Sequence, residues 1–293
     1  MKSRSRSNRK LSFVQFFLRH WGPQPYNHTD LVQVHQESTF RIMHIQNILP
    51  EPVLRRVLSA LQRENTRKKG AWTPSVVGDN VLDTEIRHSR SIDFLPMVSR
   101  PHKAREILDR VGYQELQQII LQRLGITLDS SPGCLVEIKA LWYPPHGFYK
   151  AHHDQGDMGP GGQLRDYSTK ENAMKRLWTG VLYLNDVEEG GELVFPHTHD
   201  GSNGAVVISP QQNSLVLFNN YYADSDGCIR RTTLEPLSIH EAKCPRTQDK
   251  YALNIWFSTC FSYRSLAAEC RSAMKLTPTC RKVSRVSPPR API

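Results

Sequence analysis

The spacing of apolar residues divides the chain into a part with helical periodicity and a part made of short strands. Apolar positions three and four residues apart predict one helix that begins at Glu51 and a second helix over 103–124, which Gly125 closes. After residue 131 the apolar runs become short and are separated by turn-forming residues, which is typical of strands. These runs predict strands at 134–143, 148–154, 177–185, 192–195, 204–208, 214–218, 237–240 and 250–258.

Many short strands with regular turns favour a mainly β fold with flanking helices, whose core is a double-stranded β-helix, or jelly roll. A sandwich without any site has the same pattern, so the strands alone do not predict a function. The predicted organisation is a flexible basic leader at 1–38, a helical or mixed support region at 39–130, the jelly-roll domain at 131–263 and a disordered basic tail at 264–293.

The overall composition is that of a globular protein, and its excess of positive charge lies at the two ends. The chain has 293 residues, of which 39% are hydrophobic and 23% are charged, which is enough for a sizeable core. The net charge of +10 comes from 1–22 and 264–293, whereas 23–263 is close to neutral. Charge confined to the ends favours solvated tails over a nucleic-acid interface, so no nucleic-acid partner is expected.

The cysteines and the apolar segments leave the compartment, the disulfide pattern and the oligomeric state open. The cysteines form no C-x-x-C pair, so a zinc finger is not predicted. No apolar run reaches the roughly 18 residues that predict a transmembrane segment. The segment 11–18 resembles the apolar part of a signal sequence, but Gln15 interrupts it and Arg19 follows it, so the secretory pathway and the cytoplasm both stay open.

The strongest candidate for chemistry is a His-x-Asp pair near the end of the predicted strand 148–154. Alternate residues of a strand share a face, so His152 and Asp154 point to one side and His153 points to the other. His240, on a distant strand, supplies a third ligand. Two histidines and one carboxylate are a typical iron(II) site that leaves coordination positions open. We therefore predict that these three residues bind a metal ion.

Lys250 opens the last predicted strand and is the second candidate for the site. A lysine there can bind a carboxylate inside the barrel, because charge pairing offsets the cost of burial. His197 and His199 also have the spacing of a ligand pair. They follow Phe195-Pro196 in what we predict to be a surface loop, so no second metal site is predicted.

Three blocks of sequence occur in a fixed order between residues 134 and 258. They are two tyrosines ahead of His-x-Asp, a run ending in Glu-Glu-Gly-Gly with Val-Phe-Pro after it, and a distal His-x-x-x-Cys-Pro block with a following Lys and Trp: Tyr143 and Tyr149, 177–191 and 194–196, His240–Pro245, Lys250 and Trp256. Together they resemble the prolyl 4-hydroxylase alpha-subunit-like branch of the iron(II)- and 2-oxoglutarate-dependent dioxygenases.

The resemblance implies that the three predicted ligands bind iron(II) and that Lys250 binds the far carboxylate of 2-oxoglutarate. It implies that Tyr143 and Thr179 line the co-substrate pocket. Dioxygen is then the second co-substrate, L-ascorbate restores oxidised iron, and an unactivated C–H bond is hydroxylated. The implied substrate is a proline-containing peptide or protein.

Two other functions stay open on the sequence: a hydroxylase of a small molecule or free amino acid, and a jelly-roll binding module with an inactive site. The chain departs from the family at Ala151, where the family usually has proline, and at insertions over 155–175 and 221–236. We predict that both insertions rim the mouth of the barrel, which makes the substrate the least determined part.

Overall fold

The computed structural model describes residues 31–37, 40–67, 70–77, 81–94, 102–124, 136–158, 163–166, 175–199, 204–223 and 229–258. The helices of these segments are α1 (Glu51–Thr66), α2 (His102–Val111), α3 (Tyr113–Arg123) and a short 3-10 helix (Pro236–Ser238). The strands of the first half are β1 (Leu31–Glu37), β2 (Phe40–Ile45), β3 (Thr73–Pro74), β4 (Arg87–His88), β5 (Arg90–Asp93), β6 (Val136–Tyr143), β7 (Phe148–His152), β8 (Gly156–Met158) and β9 (Leu164–Asp166). Those of the second half are β10 (Trp178–Tyr183), β11 (Leu193–His199), β12 (Ala205–Ile208), β13 (Leu215–Asn219), β14 (Tyr221–Ala223), β15 (Ile229–Leu234), β16 (His240–Ala242) and β17 (Lys250–Phe257).

The strands form two main antiparallel sheets whose inner faces enclose a barrel. The larger sheet has the order β1-β2-β13-β10-β17-β6-β5-β3, and the smaller sheet has the order β12-β11-β16-β7-β4. Two separate hairpins, β8–β9 and β14–β15, lie outside these sheets. The chain is thus mainly β with flanking helices, and the predicted jelly-roll class is confirmed.

Strand β17 has one face toward the inner cavity of the barrel and the other toward the helices. All eight of its residues are buried, because both neighbouring strands and both faces are covered. Its side chains alternate between the two layers, as the pleat requires. The residues that line the inner cavity are Lys250, Ala252 and Asn254. Those that join the helical side of the core are Tyr251, Leu253, Ile255 and Phe257.

The helices cover the outer face of the larger sheet. The buried positions of α1 recur every three or four residues, as in an amphipathic helix: Val53, Leu54, Val57, Ala60, Leu61 and Glu64. The single helix predicted over 103–124 is wrong, because Gly112 adopts a left-handed φ of 66° and separates α2 from α3. Gly125 lies outside the described residues. Among the described helices, none is long and apolar enough to cross a membrane.

The segment ahead of the jelly roll supplies strands that the apolar spacing did not predict. Strand β2 pairs with β13 and extends the larger sheet. Strand β1 pairs with β2, although 31–37 falls inside the predicted leader. Further along, β4 and β5 pair with β7 and β6 at the other edge of the barrel. The rest of the leader and the tail at 264–293 lie outside the described residues.

The insertions at 155–175 and 221–236 contain the hairpins β8–β9 and β14–β15, which side-chain contacts attach to the barrel. Asp166, at the end of β9, accepts hydrogen bonds from Tyr221 at 2.9 Å and from Gln155 at 3.2 Å. The ammonium of Lys175 lies 3.3 Å from the same carboxylate. Because Tyr221 begins β14, this carboxylate connects both insertions with the loop that carries Asp154.

Candidate metal and co-substrate site

The antiparallel pairing of β7 and β16 brings the predicted metal ligands together. His240 is the register partner of His152, and Asp154 follows β7 by two residues. The candidate ligand atoms of these three side chains all lie within 4.8 Å of one another. His152 Nε2 is 3.6 Å from one carboxylate oxygen of Asp154, and His240 Nε2 is 4.0 Å from the other.

Backbone carbonyls orient both histidine rings. Nδ1 of His152 lies 2.8 Å from the oxygen of Lys150, and Nδ1 of His240 lies 2.9 Å from the oxygen of Ser238. A carbonyl oxygen accepts only, so Nδ1 carries the proton in each ring and the Nε2 lone pair faces Asp154. This is the tautomer that binds a metal through Nε2.

Burial and neighbouring charges set the protonation of the cluster. Burial lowers the pKa of His240 to about 3, so this imidazole is neutral near pH 7. Burial alone raises the pKa of Asp154, but His240, His152 and Arg176 outweigh burial and hold that pKa well below its usual range. The cluster therefore presents a charged carboxylate beside neutral imidazole, which is the state in which these groups bind metal ions.

His153 points away from this cluster, as strand alternation predicts. Its Nε2 is 3.2 Å from the backbone oxygen of Glu235, and its Nδ1 accepts the backbone N–H of Gln155 at 3.1 Å. Burial lowers the pKa of His153 to about 4. Its role is to attach the strand end to the segment that leads to His240.

The Asp154 carboxylate is held by two donors from the opposite sheet. Thr179 Oγ1 donates to Oδ2 at 2.7 Å, and Trp256 Nε1 donates to the same oxygen at 3.0 Å. These two residues are register partners on β10 and β17. Thr179, which the family resemblance places in the co-substrate pocket, contacts the carboxylate and is absent from the residues that line the cavity.

A cavity that is partly open to solvent extends from the histidines to Lys250. Its polar lining comes from the two histidines, three tyrosines, Lys250 and one amide, and the rest is apolar: Tyr143, Tyr149, His152, Tyr183, His240, Lys250 and Asn254, with Leu141, Val181, Leu193, Ala242 and Ala252. The cavity therefore connects the predicted metal ligands with the predicted carboxylate-binding lysine.

Lys250 is a buried cation with few partners of its own. Its side chain is 2% exposed, and its ammonium donates to the carbonyl of Gly191 at 2.8 Å. The positive φ of 77° at Gly191, which favours glycine, belongs to the Gly-Gly turn that supplies this carbonyl. Tyr143, the register partner of Lys250, places its ring 4.5 Å from the ammonium.

The charge of Lys250 is not neutralised by the described part of the protein. Within that part, no carboxylate lies within 4.0 Å of its ammonium. Burial lowers the pKa of Lys250 to about 7, and the smaller effect of Glu192 opposes this shift. A buried ammonium in this state binds an incoming anion strongly, because the cost of desolvating the lysine is already met in the folded protein.

Tyr183 is a cavity residue that the sequence reasoning did not single out. Its hydroxyl is buried and has no hydrogen-bond partner among the described residues. Burial raises its pKa, so the phenol stays neutral and can donate. Strand alternation could have identified Tyr183, because Thr179, Val181 and Tyr183 are alternate residues of one strand and therefore share a face.

Arg87 is a second residue that the sequence reasoning did not find. It is buried on the short edge strand β4, opposite Tyr149 in the register. Its guanidinium lies 4.3 Å from the centre of the Tyr149 ring, which in turn stacks on His152 at 3.5 Å. A two-residue strand has too little pattern to be predicted from sequence, so only the structure connects Arg87 with the site.

The His-x-His pair at 197–199 lies in a strand and not in a surface loop, because β11 continues through His199. That part of the prediction is wrong. His197 is exposed, and the side chain of His199 lies outside the described ones. Among the described residues, His152, Asp154 and His240 form the one cluster of potential metal ligands.

The fold and the site together define the class of protein. Residues 138–258 match the model of the 2OG-Fe(II) oxygenase superfamily, and this segment holds both halves of the site. This match and the prolyl 4-hydroxylases described next support a prolyl 4-hydroxylase-like 2OG-Fe(II) oxygenase, which is the class that the resemblance predicts.

The chain is similar to several prolyl 4-hydroxylases. Prolyl 4-hydroxylase 5 of Arabidopsis thaliana is 26% identical over 203 residues, which cover 63% of this chain and 60% of that relative. The transmembrane prolyl 4-hydroxylase of Homo sapiens is 24% identical over 282 residues, covering 78% and 55%. The crystal structure of a Pseudomonas putida prolyl-4-hydroxylase aligns with a TM-score of 0.45 and 20% identity, over 74% of this chain and 92% of that one. The chain therefore spans little more than half the length of these two curated relatives.

Proposed function

We propose that the protein is an iron(II)- and 2-oxoglutarate-dependent dioxygenase that hydroxylates an unactivated C–H bond of a peptidyl proline. The observation that carries this proposal is one cavity with His152 and His240, which lie beside Asp154, at one end. At the other end is a buried lysine that has no carboxylate partner among the described residues. Each end fits one part of the required chemistry.

The ligand set fits iron(II). Two imidazole nitrogens and one carboxylate oxygen are the donors of non-haem iron(II) oxygenase sites. Both Nε2 lone pairs are directed toward Asp154 by the carbonyls that hold Nδ1. We assign the binding of iron(II) to His152, Asp154 and His240. When bound there, iron(II) supplies the activation of dioxygen and the coupled oxidative decarboxylation of 2-oxoglutarate.

The other end of the cavity fits the distal carboxylate of 2-oxoglutarate. Lys250 provides a positive charge, and Tyr183 provides a buried hydroxyl that lacks a partner among the described residues. A carboxylate between them accepts from both and neutralises the ammonium. Tyr143 forms the wall beside Lys250. Apolar side chains in the middle of the cavity exclude water from the carbon chain of the co-substrate.

The overall reaction consumes 2-oxoglutarate, dioxygen and a C–H bond, and yields succinate, carbon dioxide and a hydroxyl group. The residues of this chain bind and orient the reactants, because none of them needs to transfer a proton in the overall balance. L-Ascorbate serves to restore oxidised iron when 2-oxoglutarate is consumed without a substrate.

A peptidyl proline is the substrate that the relatives support, because those with similarity to this chain bear the name prolyl 4-hydroxylase. Charged and aromatic groups lie beside Asp154, because Arg176 donates to the backbone oxygen of Asp154 at 3.3 Å. Arg176 also donates three hydrogen bonds to Glu137, at 2.9, 3.0 and 3.3 Å, and lies 3.8 Å from the Trp256 ring centre. A small molecule or a free amino acid is the alternative substrate class.

A peptide-library assay tests this proposal. The full chain is incubated with iron(II), 2-oxoglutarate, ascorbate and ¹⁸O₂, and products are analysed by mass spectrometry. We expect one labelled oxygen in succinate and one in hydroxylated, proline-containing peptides. Labelled succinate without any modified peptide would favour the small-molecule alternative. A folded, iron-loaded protein that produces neither labelled product would contradict the proposal.

A further inference from the structure

The two oxygens of the Asp154 carboxylate have different surroundings. Oδ2 accepts one hydrogen bond from Thr179 at 2.7 Å and another from Trp256 at 3.0 Å. A carboxylate oxygen has two lone pairs, so both lone pairs of Oδ2 are occupied. Oδ1 has no such donor among the described residues, and His152 Nε2 lies 3.6 Å from it.

A third residue fixes the direction of the Thr179 hydrogen bond. Asn220 Nδ2 donates to Thr179 Oγ1 at 2.8 Å. A hydroxyl that accepts from an amide N–H has its own proton free to point elsewhere, and here that proton points at Asp154. Asn220 and Thr179 are both 0% exposed, so water does not compete for these bonds. Asn220 is itself held by a second bond from Nδ2 to the backbone oxygen of Arg176 at 3.1 Å.

The donors come from three neighbouring strands of the larger sheet. Thr179 lies on β10, Asn220 follows β13, and Trp256 lies on β17, whereas Asp154 follows a strand of the smaller sheet. The hydrogen bonds therefore cross the barrel and tie the carboxylate of one sheet to the other sheet. Such partners of a ligating group orient it and commonly tune its affinity for the metal.

We propose that Thr179 and Trp256 are positioning residues that occupy Oδ2 of Asp154 and leave Oδ1 as the oxygen that binds the metal. This inference depends on the proposed function for the presence of the metal. A carboxylate that binds through one oxygen takes one coordination position, whereas a carboxylate that binds through both takes two. The hydrogen bonds thus keep a position available for a co-substrate.

The test compares iron(II) affinities of full-length variants by anaerobic calorimetry, without 2-oxoglutarate. Thr179→Val keeps the shape of the side chain but removes the donor, and Trp256→Phe removes the indole N–H. We expect each to weaken iron(II) binding about 10- to 100-fold, as is usual for the loss of such partners. Thr179→Ser retains a hydroxyl and is expected to bind within a few-fold of the wild type.

Trp72→Phe is the matched control for the indole change. Trp72 is also buried, and its Nε1 donates to the carbonyl of Leu61 at 3.2 Å, on the helical side of the sheet. We expect Trp72→Phe to lower the melting temperature without changing iron(II) affinity. Circular dichroism identifies any variant that is unfolded, and Thr179→Ser then decides the role of the hydroxyl.

The outcomes separate this inference from the proposed function. Wild-type affinity in folded Thr179→Val and Trp256→Phe, or equal losses in Thr179→Val and Thr179→Ser, would contradict the positioning role while leaving the oxygenase proposal intact. A wild-type protein that binds no iron(II) would contradict both. Weak binding in Thr179→Val, with recovery in Thr179→Ser, supports the inference.

Discussion

Replacing Lys250 by methionine removes the charge at the inner end of the cavity while keeping most of the side-chain volume. Lys250 is 2% exposed, and its ammonium has one hydrogen bond among the described residues, to Gly191. The carboxylate of 2-oxoglutarate would then be buried without a cation. Loss of one partner of a buried ion pair costs about 3–5 kcal/mol. That corresponds to a loss of roughly 150- to 5000-fold in 2-oxoglutarate affinity, since each 1.4 kcal/mol is a factor of ten.

The assay is calorimetric titration of 2-oxoglutarate into iron(II)-loaded protein under anaerobic conditions. Lys243→Met is the matched control, because Lys243 lies just after β16 but is paired with Glu241 at 2.8 Å on the surface. We expect unchanged affinity in Lys243→Met and unchanged iron(II) binding in both variants. Equal 2-oxoglutarate affinity in Lys250→Met and the wild type would remove Lys250 from the co-substrate site.

The pH dependence of the same titration provides a second measurement. The pKa of Lys250 is lowered from 10.5 to about 7 in the folded protein, so between these values the unfolded chain holds a proton that the folded protein lacks. Stability without ligand therefore rises with pH across this window. A carboxylate ligand favours the ammonium, so 2-oxoglutarate affinity should fall as the pH rises above about 7, and binding should take up a proton. Lys250→Met should lose this proton uptake.

Three further results are expected. His152→Ala should abolish 2-oxoglutarate turnover, whereas His153→Ala should retain iron(II) binding at some loss of stability; the reverse order in a turnover assay would show that the strand register is misassigned. Tyr183→Phe should keep or raise the melting temperature, because it removes a buried hydroxyl without a partner among the described residues, yet weaken 2-oxoglutarate about tenfold; unchanged affinity would argue against its role. Replacing 156–166 by a short linker should leave succinate formation measurable but reduce peptide hydroxylation, and full product formation would contradict a role of this hairpin in substrate binding.

The candidate metal ligands and Lys250 could be predicted from sequence by strand alternation together with the family resemblance. Alternation on a strand places His152 and Asp154 together and turns His153 away, and the structure has this arrangement. The apolar runs also located most strands of the barrel to within a few residues at each end. The strand predicted at 237–240 is the exception, because Pro236–Ser238 is a 3-10 helix and β16 begins only at His240. Alternation predicts which residues share a face of a strand wherever the two faces have different surroundings.

Partners from distant elements could not be predicted in this way. Arg87 reaches the site from a two-residue strand, and Asn220 reaches Thr179 from the end of a neighbouring strand that is far away in sequence. Thr179 shows the difficulty. Its side chain points into the barrel, but its hydroxyl donates a hydrogen bond to Asp154. Which of several inward polar groups meet one another depends on strand order, and strand order is a property of the whole sheet.

The most direct test of the account is succinate formation by the full-length protein. The protein is incubated with iron(II), 2-oxoglutarate, ascorbate, dioxygen and a mixture of proline-containing peptides, and succinate is measured by mass spectrometry beside His240→Ala, whose fold is checked by circular dichroism. We expect iron-dependent succinate from the wild type and none above background from His240→Ala. Absence of succinate from folded, iron-loaded wild type, or equal succinate from His240→Ala, would contradict it.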